Sequence, residues 1–194
     1  MNRQISTATA KGPTTRDRIL NAARKSLIER GIDRFALREI ADSLEIKLGN
    51  LQYYFKTRDA LVIQVLEKEA ERDRTLIKSH QQKIKDPGDA FRAIVQDLIS
   101  RWRGDSGVLF ATLSTMANHN KAYRKLYRSI YADFYLELEK PLRVMNPGLS
   151  KSEIALRARL ITALIDGAPM QSQIANQVVF LQRIQEQAES IARA

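Results

Sequence analysis

A chain of 194 residues is long enough for a small domain joined to a larger one. With 44% hydrophobic and 28% charged residues it is globular in composition, which excludes a disordered chain. Its 32 Lys and Arg against 22 Asp and Glu leave a net charge of +10, suited to a polyanionic partner, either nucleic acid or an acidic membrane surface. The lack of cysteine excludes a disulfide frame, a thiolate nucleophile and a Cys-ligated metal. Met1 to Pro13 have no apolar signal-peptide core, and no segment approaches the ~20 apolar residues of a membrane span. The expectation is a soluble protein of the cytoplasm.

In chain order, residues 1–13, with Arg3 and Lys11, read as a flexible arm. Thr14-Thr15 can cap a helix, and Asp17 suits the positive end of its dipole. Ile19, Ala23 and Leu27 recur on one face until Gly31. Leu37, Ile40, Ala41 and Leu44 mark a second helix. After Glu45-Ile46-Lys47, a third carries Leu48, Leu51 and Phe55. Thr57 caps a fourth, which runs through Leu61, Val65 and Leu66 into the charged stretch 67–74.

Asp86-Pro87-Gly88 is the clearest break. Beyond it, Phe91, Ile94, Leu98 and Trp102 form one stripe, and Val108 to Met116 another. Tyr123, Tyr127, Ile130, Phe134 and Leu138 form a third, closed by Pro141 and Asn146-Pro147-Gly148. Ser150 with Glu153 reads as a capping box for a long helix to about Ala168, and a last helix covers roughly Asn176 to Ile191. No run alternates as a strand does. The fold class is all-α with about nine helices: an arm over 1–13, a three-helix domain over 14–60 and a larger helical domain over 61–194.

Up to Arg58 there are 12 basic against 6 acidic residues, so the part with the short helices is also the more basic per residue. Two short amphipathic helices separated by about three residues, braced by a preceding helix, suit a helix-turn-helix over residues 38–55. The outward face of its second helix offers Lys47, Asn50, Gln52, Tyr53 and Tyr54. Asn and Gln can pair with adenine, Arg with guanine, and Lys or a Tyr hydroxyl with phosphate. The same residues could also be merely solvated, and the two tyrosines packed.

Ala36-Leu37-Arg38-Glu39-Ile40-Ala41, followed by Leu48-Gly49-Asn50-Leu51-Gln52-Tyr53-Tyr54-Phe55-Lys56-Thr57-Arg58-Asp59-Ala60-Leu61, resembles the TetR family of bacterial transcriptional regulators. The resemblance covers roughly residues 15–66. It implies base contacts from Arg38, Leu48, Gly49, Asn50, Gln52 and Tyr53, and phosphate contacts from Lys47, Tyr54, Lys56 and Arg58. Departures are visible. Glu45 stands where the family's turn usually has Gly, so it either takes a left-handed conformation or the turn differs. Ala36 replaces a usual Thr, Leu48 a frequent Lys or Pro, and Gln52 a common Tyr.

The resemblance further implies an effector pocket among the middle helices and a homodimer built from the last two. For the pocket the candidates are Trp102, Phe110, Met116, Tyr127, Tyr131 and Phe134, with Phe91 beside them, although each also suits plain core. For the dimer, surplus apolar faces point to Ile161, Leu164, Ile165, Leu181, Ile184 and Ala188. His80 and His119 have no partners at metal spacing, so no metal, cofactor or catalytic residue is expected beyond a small-molecule effector. The expected partners are double-stranded operator DNA and a second copy, with no membrane. The expected role is a ligand-responsive repressor on a pseudo-palindromic operator. The competing readings are an activator or effector-independent regulator of the same fold, a helical enzyme, and a membrane- or partner-binding module. The enzyme reading lacks any nucleophile-elbow, P-loop, zincin or dinucleotide motif.

Overall fold

The computed structural model describes residues 14–171 and 177–194. The arm over 1–13, and Asn176 at the expected start of the last helix, lie outside the described residues. The described residues form nine helices and no strand: α1 (Thr15–Arg30), α2 (Leu37–Ser43), α3 (Leu48–Tyr54), α4 (Arg58–Lys83), α5 (Pro87–Arg103), α6 (Asp105–His119), α7 (Lys121–Met145), α8 (Lys151–Gln171) and α9 (Gln177–Arg193). The chain divides into two compact units, one ending at Val62 and the other beginning at Ile63. No described helix is long and apolar enough to cross a membrane.

Local chemistry sets the helix ends. The Thr14 hydroxyl accepts from the Asp17 amide at 3.2 Å, and Gly31 closes α1 at φ 73°. The Thr57 hydroxyl accepts from the Ala60 amide, and the Asp86 carboxylate accepts from the Asp89 amide at 2.8 Å with Pro87 in the first turn. Ser150 accepts from the Glu153 amide at 3.1 Å, while the Glu153 carboxylate pairs with Arg157. Two prolines do not stop their helices. α7 continues through Pro141 to Met145 and α8 through Pro169 to Gln171, so the expected end at Pro141 is corrected. A proline removes a single amide donor, and the buried Pro141 and Leu142 hold that turn in the core.

In the first unit, Ile19, Leu20, Ala23 and Leu27 of α1, Phe35, Ile40 and Ala41, and Leu51 and Phe55 around α3 form the core. In the second, α5 is the hub, packing on α6, α7, α8 and α9, and α7 packs on α6 and α8. At the α5–α6 corner the chain passes so close to itself that a Cβ on Gly107 would lie 1.8 Å from the Trp102 carbonyl oxygen. Only glycine fits there.

The second unit also buries a polar cluster that periodicity gives no sign of. Asp73 and Glu69 of α4 are about 1% exposed. Arg101 donates to Asp73 at 2.7 Å and to Glu69 at 3.1 Å, Ser106 donates to Glu69 at 2.5 Å, and Arg72 pairs with Glu69 at 2.6 Å. Burial pushes the Asp73 carboxyl upward, and Arg101 and the Trp102 indole oppose the shift.

Candidate nucleic-acid interface and helical-unit cavity

α3 is seven residues long, about 10 Å at 1.5 Å per residue, which suits a major groove about 12 Å wide. Leu51 and Phe55 anchor it in the core, so the rest of the helix faces outward. Lys47, Gly49, Asn50, Gln52, Tyr53, Tyr54 and Lys56 are exposed and Leu48 is half-buried. Tyr53 is 82% exposed, its ring edge-on to Tyr54 at 5.3 Å. An aromatic left that open in water is not a packing group. Arg38 is exposed on α2, while its neighbour Glu39 is paired to Arg30 at 2.6 Å.

The turn joining α2 to α3 is held by its backbone. The Glu45 amide donates to the Asp42 carbonyl at 3.1 Å and the Ile46 amide to the Ala41 carbonyl at 3.0 Å. This is the double closure of a Schellman motif, which requires a left-handed residue at its centre. Glu45 occupies that position at φ 56°, the one non-glycine among the described residues with positive φ. The first of the two expected outcomes for Glu45 is therefore the one found. Ala36 and Lys47 precede α2 and α3 without a side-chain cap, so the missing hydroxyl at 36 is a real loss.

Arg58 departs from its expected place on phosphate. Its Nε donates to the Phe35 carbonyl at 3.0 Å and its Nη2 to the Ile32 carbonyl. The loop after Gly31 leaves these carbonyls without helical partners, and the guanidinium fork satisfies both. Arg58 is a clamp on the α1–α2 loop.

The second unit contains a cavity of about 300 Å³. Four of the expected pocket residues line it: Trp102, Phe110, Tyr127 and Tyr131. Trp102 stacks on Phe110 at 4.5 Å and meets Tyr131 edge-on at 6.5 Å, and Tyr127 lies 4.4 Å from Tyr131. Met116 and Phe134 are corrected. Met116 contributes nothing to this wall, and Phe134 borders a crevice of about 10 Å³ with Phe110 and Trp102, which is core rather than ligand space. Phe91 is fully buried core.

The sequence reading missed the cavity's polar contributors: Asp166, Ser114 and Thr115. The Tyr131 hydroxyl donates to Asp166 Oδ2 at 3.0 Å, and burial pushes the Asp166 carboxyl up to about 7 against that hydrogen bond.

The expected dimer residues separate into two groups. Ile161, Ile165 and Ala188 are 0% exposed inside a single protomer and have no surface to give a second copy, which corrects their assignment. Their side of α8 and α9 is used up by packing of the two helices on each other and on α5. Leu164, Leu181 and Ile184 are half-buried, and the outward apolar side chains are instead Leu156, Leu160, Met170, Val178 and Val179. His80 has the carboxylate partner that sequence spacing hid, Asp97 at 2.7 Å. No group of residues able to hold a metal occurs among the described residues.

Residues 19–65 match the family model described as bacterial regulatory proteins, tetR family. An HTH-type transcriptional regulator of Staphylococcus aureus (strain USA300) is 27% identical over 128 residues, 64% of this chain and 67% of that protein. Among solved structures, a transcriptional regulator from Streptomyces coelicolor A3(2) is 25% identical with a TM-score of 0.73, over 94% of this chain and 100% of that one. A TetR transcription regulator from Haloarcula marismortui superposes with a TM-score of 0.76 at 19% identity, covering 91% of this chain and 95% of that one. A transcriptional regulator from Saccharomonospora viridis, solved in complex with choline, gives 0.72 at 18% identity, covering 90% and 93%.

Proposed function

Since this chain belongs to the tetR family of bacterial regulatory proteins and is a DNA-binding regulator of transcription, we propose that it acts as a ligand-responsive repressor. In this reading it binds a pseudo-palindromic operator as a homodimer. The observation that carries the reading is the exposed polar and aromatic face of α3, held outward by the buried Leu51 and Phe55. On this face Asn50 and Gln52 suit adenine edges, and Tyr53 and the half-buried Leu48 apolar or hydroxyl contacts in the groove, while Arg38, exposed on α2, suits a guanine edge. Lys47, Tyr54 and Lys56 flank it at phosphate positions.

Dimerisation is supported by the outward apolar side chains of α8 and α9. Leu156, Leu160, Val178 and Val179 are between 47% and 75% exposed in one protomer, and a second copy would take them out of water. Ligand response is supported by the aromatic cavity and by a protein of the same fold solved with choline.

The test is selection of binding sequences from random duplex DNA, followed by affinity measurements on the selected site. An inverted repeat bound by two copies is expected. Arg38→Ala and Gln52→Ala should each cost about 1–3 kcal/mol at one base position and relax the preference there. Equal loss of affinity across all base substitutions would count against direct readout by these side chains.

A further inference from the structure

We propose that the cavity of the helical unit takes a protonated organic amine, with Asp166 as its counter-ion and the rings of Trp102, Tyr127 and Tyr131 as walls around its alkyl groups. This rests on the reading of the chain as ligand-responsive and names the chemical class of the ligand.

The carboxylate has two oxygens with different fates. Oδ2 accepts the Tyr131 hydroxyl at 3.0 Å, whereas Oδ1 is buried and accepts no hydrogen bond from the described residues. A buried acceptor left unpaired is costly, so it is best satisfied by a donor brought by a guest. The donor with most to gain is a cationic N–H, because a charge-assisted hydrogen bond is about twice as strong as a neutral one. The walls agree with this choice. Trp102, Phe110, Tyr127 and Tyr131 present four aromatic rings to one space, and ring faces attract cations while excluding water. Ser114 and Thr115 add hydroxyls along one edge, and the Thr115 hydroxyl is already committed to the Ala111 carbonyl at 3.0 Å. Among the described lining residues the cavity therefore offers one carboxylate acceptor, Asp166, in a largely apolar and aromatic wall. An anionic guest would meet Asp166 with no cation among the described lining residues to offset it, and a neutral apolar guest would leave Oδ1 unpaired.

The chain contains a single tryptophan, Trp102, so intrinsic tryptophan fluorescence reports from the cavity wall itself. The probes are N,N-dimethylbenzylamine, protonated at neutral pH with one N–H, and 2-methyl-1-phenylpropan-2-ol, its neutral analogue of nearly the same shape. Both are titrated into the full-length protein without DNA. The amine is expected to change the fluorescence saturably with a Kd at least about tenfold below that of the alcohol, the factor of roughly 1.4 kcal/mol that one charge-assisted bond supplies. Asp166→Asn keeps the shape and an acceptor for Tyr131. It is expected to lower the amine-to-alcohol preference towards one while alcohol binding persists.

Equal affinities for the two probes on the native chain, or an undiminished preference in Asp166→Asn, overturn the proposal. The native-chain comparison decides the matter whether or not the variant folds. Operator release is read separately. A chain that binds the amine yet keeps its operator refutes ligand response and leaves the site standing. A chain released only by neutral or anionic compounds sustains ligand response and overturns the cation assignment.

Discussion

The Trp102 indole N–H donates to Asp73 Oδ2 at 2.9 Å, with the acceptor carboxylate itself held by Arg101 at 2.7 Å. One wall of the cavity is thus fixed in orientation by a buried carboxylate of α4 that is ion-paired with Arg101 of α5. Removing the carboxylate would leave the buried indole donor without its acceptor and the Arg101 guanidinium with Glu69 alone. Asp73→Ala should lower stability by about 2–4 kcal/mol in urea unfolding. Asp73→Asn, which keeps an acceptor for the indole, should cost less. A loss within about 0.5 kcal/mol for Asp73→Ala would show the cluster to be unimportant.

Glu45 adopts the left-handed conformation without the usual glycine. An L-residue there costs about 1–2 kcal/mol, partly offset in a glycine variant by the entropy of the unfolded chain. Glu45→Gly should therefore stabilise the protein by about 1 kcal/mol, visible as a higher Tm, whereas Glu45→Ala should not. Equal Tm values for the two variants would remove backbone strain as the explanation.

Arg58 provides a test of clamp against phosphate ligand. Losing two hydrogen bonds to loop carbonyls should cost Arg58→Ala about 2 kcal/mol, and Arg58→Lys should recover less than half, since an ammonium cannot fork. The slope of log affinity against log salt should stay unchanged for Arg58→Ala, while Lys56→Ala lowers it by about one unit. A one-unit drop for Arg58→Ala would restore the phosphate role.

At Gly49 stability and binding should separate. A Cβ added there meets nothing within 4 Å, so Gly49→Ala should stabilise the DNA-free protein by about 0.5–1 kcal/mol through helix propensity. The same methyl stands on the face offered to DNA and should weaken operator binding. Unchanged affinity in a gel-shift titration would mean that the α3 backbone does not approach the groove closely.

Much of this fold is legible in the chain itself. Thr14, Thr57, Asp86-Pro87 and Ser150 announce helix starts because capping is a local event among residues three apart. The reading face of α3 is legible for the same reason, as Leu51 and Phe55 identify the buried side and leave the remainder outside. Partners across long separations are not legible. Nothing near Arg58 in sequence reveals that its acceptors lie 23 and 26 residues earlier, and nothing near Asp166 points to a tyrosine 35 residues away. Apolar periodicity misleads on α8 and α9 because it shows that Ile161, Ile165 and Ala188 are hidden without showing whether their own protomer or a second copy hides them.

The Asp166 carboxyl carries a pH signature. Its pKa of about 7 in the native state, against ~3.9 in an unfolded chain, means that between those values the native state holds a proton the unfolded chain has lost. Stability should therefore fall as pH rises from about 4 through 7, by up to about 4 kcal/mol from this group alone. Asp166→Asn should remove that component and leave the ligand-free protein more stable at pH 8. The check is urea unfolding of both proteins at pH 5 and pH 8; a stability difference between them that is the same at the two pH values would contradict the shifted carboxyl.

Gly107 sits at the start of a row on α6 that continues with Ala111, Ser114 and Thr115, all of which border the cavity. The row leaves room for larger side chains at one end only. At 107 any side chain collides with the backbone of α5, so that corner admits none, whereas each enlargement at 111, 114 or 115 takes volume from the cavity. The volume of the cavity can therefore be trimmed by small substitutions one and two turns along α6 that leave the corner and the orientation of Trp102 untouched.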